Sequence, residues 1–292
     1  MDKFKGVFTA IITPFENGKI DFISLEKLIK FQVENGINGF VVNGTTAESP
    51  ALTPAEVAEI FKKVKEWAPG LPLILGTGSN STAKTIEDTQ KAQELGADAV
   101  LVVVPYYNKP PQRGLEAHFK AVANATKLPV ILYNVPGRTI TSLEPETVKN
   151  ISAVKNVIGI KEATGKIDLA QKIIELIGKD FVMLSGDDGT YVEFLGVGGH
   201  GVISVASHIL PKEFVRWTNL VKKGDVELAR KEIKQFSKLI DLLFVEANPI
   251  PVKKALQFMN VIKSAECRLP LVELAADPAL ALKEEMKKMG LL

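Results

Sequence analysis

Lys161 is the residue of this sequence whose placement most needs a chemical explanation. It ends the run Val157-Ile158-Gly159-Ile160-Lys161 and is followed by Glu162-Ala163-Thr164. An ammonium in an apolar, β-branched stretch loses its hydration, and burial lowers the pKa of such a group so that part of it is free amine near neutral pH. A free amine of this kind attacks a carbonyl to form a Schiff base. Alternation along a strand puts Val157, Gly159 and Lys161 on one face and Ile158 and Ile160 on the other. The larger apolar pair is then expected to face covering helices, and Lys161 the interior. A structural salt bridge is the plainer reading. Glu162 is badly placed for it, because neighbours on a strand point to opposite faces, which leaves Asp187 as the candidate partner.

Other residues with usable chemistry follow similar apolar runs. Tyr133 is near the end of Val130 to Asn134, and a phenol next to an imine-forming lysine can shuttle a proton. Arg138 comes just after Pro136-Gly137, where a loop could hold its fork over a carboxylate. Gly44-Thr45-Thr46 offers hydroxyls and backbone N–H groups to an anion, although glycine and threonine are also ordinary turn residues. Tyr106-Tyr107 and Gly186-Asp187-Asp188 occupy comparable positions. His118, His200 and His208 form neither a His-x-x-x-His pair nor a Cys/His group, so they read as structural or surface residues and no metal site is expected. A serine triad would lack its Gly-x-Ser-x-Gly elbow.

These residues must be positioned by the elements around them. Eight short apolar runs recur: Gly6 to Thr13, Gly39 to Asn43, Leu73 to Thr77, Ala99 to Val104, Val130 to Asn134, Val157 to Lys161, Val182 to Ser185 and Gly201 to Val205. Most are separated by segments of helical period. Ser24 reads as the cap of the first, and Thr53-Pro54 with Glu56 as a capping box for the second. Strands apolar on both faces that alternate with helices indicate a parallel sheet under helices. Eight such units predict an α/β (β/α)8 barrel over residues 1–224, and in such barrels the functional residues gather at the C-terminal strand ends. No Gly-x-Gly-x-x-Gly follows the first strand to support a dinucleotide site. Residues 225–292 contain no strand candidate and are expected to form a C-terminal helical extension. There Val226, Ala229, Ile233, Phe236, Ile240 and Leu243 make one stripe that ends at Pro249 and Pro251.

The whole composition sets bounds on partners. In 292 residues, 46% are apolar and 24% charged, with a net charge of +2. That balance supplies no electrostatic reason to bind nucleic acid or an anionic membrane surface. No run approaches the roughly 18 apolar residues of a membrane span. The single cysteine, Cys267, excludes an intrachain disulfide and suits a reducing compartment, so a cytoplasmic protein is expected.

The chain resembles the N-acetylneuraminate lyase family of class I aldolases, and within it the branch that condenses pyruvate with L-aspartate 4-semialdehyde. The resemblance runs nearly end to end. It is carried by Gly44-Thr45-Thr46-Ala47-Glu48-Ser49, Pro105-Tyr106-Tyr107-Asn108, Tyr133 through Thr139, Gly159 through Thr164, Gly186-Asp187-Asp188 and Gly198 through Ser204. It implies that Lys161 forms a covalent imine with pyruvate without a cofactor. Tyr133, Thr45 and Tyr107 would form a proton relay, with Tyr107 supplied across a dimer interface. Thr46 and the Ile203 backbone would hold pyruvate, with Gly186 also at the substrate, and Arg138 would hold the semialdehyde's carboxylate. A homotetramer built as a dimer of dimers is the usual assembly of such relatives. Sugar-acid lyases of the family usually lack an arginine in the loop after strand five, so Arg138 favours the synthase branch over an N-acetylneuraminate-type aldolase. A keto-acid sensor without turnover is a further alternative.

Two departures stand out. Ala47 replaces the family's usual glycine, which would matter if that position needs a positive φ. In lysine-inhibited relatives the regulatory site uses a glutamate and a histidine besides an asparagine and a tyrosine. Asn80 and Tyr106 are retained here, but the other two positions match Lys84 and Val57, so feedback inhibition by lysine is expected to be weak or absent.

Overall fold

The computed structural model describes residues 1–292. Ten strands occur: β1 (Gly6–Ala10), β2 (Phe15–Glu16), β3 (Lys19–Ile20), β4 (Gly39–Val42), β5 (Leu73–Gly76), β6 (Ala99–Val103), β7 (Val130–Asn134), β8 (Val157–Glu162), β9 (Val182–Ser185) and β10 (Gly201–Ser204). Eight of them close into a barrel in the order β1-β10-β9-β8-β7-β6-β5-β4, with parallel pairing such as Tyr133 opposite Lys161 and Lys161 opposite Leu184. Each of the eight coincides with one of the apolar runs, as the alternation predicted. β1, β4, β7, β9 and β10 are buried along their whole length. This is the physical meaning of a run apolar on both faces.

By its internal contacts the chain forms two compact units, Met1–Gly6 with Pro72–Ile203 and Val7–Leu71 with Ser204–Leu292. The first contains β5 to β9 and the helices Thr82–Leu95, Gln112–Asn124, Pro145–Ser152 and Ile167–Ile177. The second contains β4, the hairpin β2–β3, the helices Phe22–Glu34 and Pro54–Trp67, and the C-terminal helices from Pro211 onward. No helix is long and apolar enough to cross a membrane.

Local chemistry explains where helices begin and break. Thr53 caps Pro54–Trp67 through the expected capping box with Glu56. The first helix is capped by Asp21 and not by Ser24. The Asp21 carboxylate accepts from the Ile23 and Ser24 amides at 3.1 and 3.0 Å, and the Ser24 hydroxyl donates to it at 2.5 Å. A carboxylate satisfies several N-terminal donors at once, so Phe22 and Ile23 join the helix. The stripe from Val226 to Leu243 is two helices, Val226–Gln235 and Ser237–Leu242, interrupted at Phe236. The Phe236 ring packs edge-on against Trp217, 5.6 Å between centroids.

His208 is a structural histidine, fully buried in the second unit. Its Nδ1–H donates to the Val205 carbonyl at 2.8 Å and its Nε2 accepts from the Ile12 amide at 3.1 Å. Both nitrogens are committed, and burial lowers the pKa to about 4 from 6.5. The unfolded chain therefore takes up a proton that the folded one refuses. His208 contributes stability that is complete above pH 6.5 and lost as pH falls from there toward 4, about 3 kcal/mol over the window. His208→Gln keeps one acceptor and one donor but binds no proton. Denaturant unfolding followed between pH 7.5 and 4.5 is expected to give a visibly shallower acid decline for this variant, and an unchanged slope would refute the assignment.

Candidate active site

β8 carries Lys161 next to β7 and β9. The side chain is 6% exposed, and Nζ lies 4.3 Å from the centroid of the Tyr133 ring, directly across the β7–β8 register. Lys161 makes no ion pair. The candidate partner Asp187 is engaged elsewhere, its Oδ1 accepting from the amide and hydroxyl of Thr190 at 3.0 and 2.7 Å. Glu162 is buried on its own account, accepting from Asn134 Nδ2 at 2.8 Å and from the Thr164 amide at 2.7 Å. Burial raises its carboxyl pKa despite those donors. The lysine thus meets the face of the Tyr133 ring and no carboxylate.

Gly186 explains how the lysine stem fits. A Cβ at this position would come within 2.7 Å of Lys161 Cε and 2.6 Å of Ala163 Cβ. Its amide donates to the Glu162 carbonyl at 2.7 Å, so the residue cannot drift away from β8. Gly159 meets the same constraint, where a Cβ would stand 2.3 Å from the Val182 carbonyl oxygen. Strands β8 and β9 approach closely because glycine occupies these positions.

In the second unit, Thr45 and Thr46 lie in a single 3-10 turn, Thr45–Ala47. Thr46 is buried and its Oγ1 accepts from Asn248 Nδ2 at 2.9 Å. The residues with positive φ in this loop are Asn43, at +57°, and Glu48, at +58°, and not Ala47. The extra methyl of Ala47 is therefore accommodated without left-handed strain, and its carbonyl accepts from the Thr13 hydroxyl at 2.9 Å.

Glu48 anchors the loop. Its carboxylate pairs with Lys253, both side chains being fully buried, and also accepts from the Arg268 amide at 2.8 Å. Lys253 further donates to the Glu266 carbonyl at 2.7 Å, and burial lowers its pKa. The Arg268 guanidinium grips Glu56 at 2.6 and 3.0 Å and holds that carboxyl down at about 2. Lys253 Nζ and Arg268 Cζ each lie 4.4 Å from the Phe15 ring centroid. The sequence reading missed this group. Glu48 and Lys253 are 205 residues apart, and Lys253 sits in an unremarkable helical pattern.

The remaining expected site residues are placed as follows. Ile203 is buried near the end of β10. Arg138 lies exposed in the short helix Pro136–Thr139 and pairs with no carboxylate. Tyr107 stands out at the surface, 86% exposed with φ +74°. The structure thus brings Lys161, Tyr133 and Gly186 together, leaves the Arg138 fork free, and presents Tyr107 outward.

The arrangement can do carbonyl chemistry through an amine. Residues 3–289 match the dihydrodipicolinate synthetase family. The chain is 65% identical over 293 residues to a 4-hydroxy-tetrahydrodipicolinate synthase of Bdellovibrio bacteriovorus, with all of both chains covered. It is 47% identical over 290 residues to the Coxiella burnetii protein of the same name, covering 99% of each. The crystal structure of dihydrodipicolinate synthase from Thermotoga maritima superposes with a TM-score of 0.97 at 44% identity, covering 99% of this chain and 100% of that one. With the barrel, the buried lysine and this end-to-end similarity in hand, the chain belongs to the dihydrodipicolinate synthetase family.

Proposed function

We propose that the chain has 4-hydroxy-tetrahydrodipicolinate synthase activity, a lyase reaction of class I aldolase type in lysine and diaminopimelate biosynthesis. The observation that carries this reading is Lys161, buried without a carboxylate partner over the Tyr133 ring. Its amine attacks the keto carbon of pyruvate, water leaves, and the imine loses a methyl proton to give an enamine. The enamine carbon then attacks the aldehyde of L-aspartate 4-semialdehyde. The imine is itself the electron sink, so the reaction calls for no cofactor.

Tyr133, Thr45 and Tyr107 move protons in this scheme, since hydroxyls relay them without carrying net charge. Thr46 and the Ile203 backbone hold pyruvate, Gly186 borders the substrate, and Arg138 receives the semialdehyde's carboxylate. The outward Tyr107 suits a residue that completes the site of a second copy, which supports a homo-oligomer, a dimer of dimers being the expected form. The Cys267 thiol, raised to about 11 by burial, stays protonated and suits a reducing cytoplasm.

Borohydride added with pyruvate is expected to leave a reduced adduct on Lys161 alone, located by peptide mass mapping. Turnover of pyruvate with L-aspartate 4-semialdehyde should greatly exceed cleavage of N-acetylneuraminate. A chain that traps pyruvate but prefers the sugar acid would be an aldolase of the other branch, and one that traps nothing would lose the Schiff-base reading.

Free L-lysine is expected to inhibit weakly or not at all. Lys84 bears its ammonium where lysine-inhibited relatives have a glutamate, and that ammonium already pairs with Asp88 at 2.9 Å. A cation facing the incoming ammonium turns attraction into repulsion. Inhibition by sub-millimolar lysine with both substrates saturating would overturn this expectation.

A further inference from the structure

Asn248 has no part in the chemistry described so far, yet it is buried and keeps a single side-chain hydrogen bond. Its Nδ2 donates to Thr46 Oγ1 at 2.9 Å, while its Oδ1 is buried with no hydrogen-bond donor from the protein. A buried amide whose carbonyl oxygen goes unmet is costly, and an apolar side chain would carry no such cost. Packing alone therefore does not account for an asparagine here. What it supplies is a fixed donor aimed at one hydroxyl.

That donor decides where the Thr46 proton goes. A threonine hydroxyl has one proton and two acceptor sites. One acceptor site is taken by the Asn248 amide, so the O–H bond must turn away from Asn248, and no protein group accepts its proton. Thr46 is thereby held as a donor toward an incoming anion. We infer that Asn248 is a positioning residue for pyruvate binding: it orients the Thr46 hydroxyl as a hydrogen-bond donor to the substrate carboxylate. The inference rests on the reading that Thr46 holds pyruvate.

The test uses full-length Asn248→Ala, Asn248→Asp, Thr46→Val and the double variant Thr46→Val/Asn248→Ala, each first checked for a cooperative thermal transition. The readouts are KM and kcat for both substrates, and the pyruvate concentration that half-saturates borohydride trapping. Asn248→Ala is expected to raise the pyruvate KM and the half-saturating concentration about tenfold, with kcat and the semialdehyde KM within about threefold. Asn248→Asp preserves the shape but accepts the Thr46 proton and adds a charge, so its pyruvate KM should rise further still, about a hundredfold. It also serves as the isosteric variant if Asn248→Ala does not fold. In the Thr46→Val background the Asn248→Ala change should add almost nothing.

An unchanged pyruvate KM in Asn248→Ala, Asn248→Asp no worse than Asn248→Ala, or losses that multiply in the double variant would each overturn the proposal. If Thr46→Val raises the pyruvate KM while both Asn248 variants leave it alone, only the positioning role falls. If Thr46→Val itself leaves pyruvate binding unchanged, the assignment of Thr46 fails and the inference with it.

Discussion

Lys161→Met is expected to abolish borohydride trapping and lower turnover by about ten-thousand-fold, while the folded protein becomes no less stable. Loss of a covalent nucleophile removes the path itself, so the fall in kcat should match the fall in kcat/KM. The stability half of the prediction comes from the surroundings of the side chain. Lys161 has no ion pair and no hydrogen bond to give up, only the contact of its Nζ with the face of the Tyr133 ring. Methionine fills a similar volume without a group that must be desolvated. Lys253 is the contrasting case in the same molecule. Removing it would leave Glu48 buried and unpaired, at a cost of about 3–5 kcal/mol. Denaturant unfolding of Lys161→Met beside Lys253→Met separates the two lysines. A large loss of stability in Lys161→Met would mean that the residue serves the fold.

Gly186→Ala is expected to lower kcat about a hundredfold with little change in the oligomeric state. The added methyl would overlap Lys161 Cε and Ala163 Cβ at 2.7 and 2.6 Å, both closer than real contacts allow. The Gly186 amide is tied to Glu162, so the lysine stem yields instead, and its amine moves off the line of attack. A displacement of about 1 Å costs on this scale when two reacting atoms must be aligned. Gly189→Ala is the matched control, because its nearest neighbour is Asp187 Oδ1 at 3.7 Å and a methyl fits. Equal activity in the two variants would refute the view that Gly186 makes room for the lysine, whatever further contact it has with substrate.

The barrel and its central lysine were legible in the sequence because both depend on local pattern. Eight apolar runs became the eight barrel strands, and a lone cation in one of them marked a place where burial needed a reason. Tyr133 was visible on the same ground, as a polar-tipped residue near the end of an apolar strand. Other expectations failed where a side chain a few residues away competed. Asp21 took the cap from Ser24, and Phe236 broke a stripe whose periodicity continues across it.

What only the tertiary structure decided involves partners distant along the chain. The Asp187 salt bridge that the sequence left open is absent, and that carboxylate accepts from Thr190 instead. Glu48 meets Lys253, and Thr46 meets Asn248, across 205 and 202 residues. Periodicity shows which face of an element turns inward but not which residue of another element it will meet there, because that depends on how the chain closes on itself. For the same reason, the sequence determined that Lys161 is buried, and the folded chain decided that it is buried without a counter-charge.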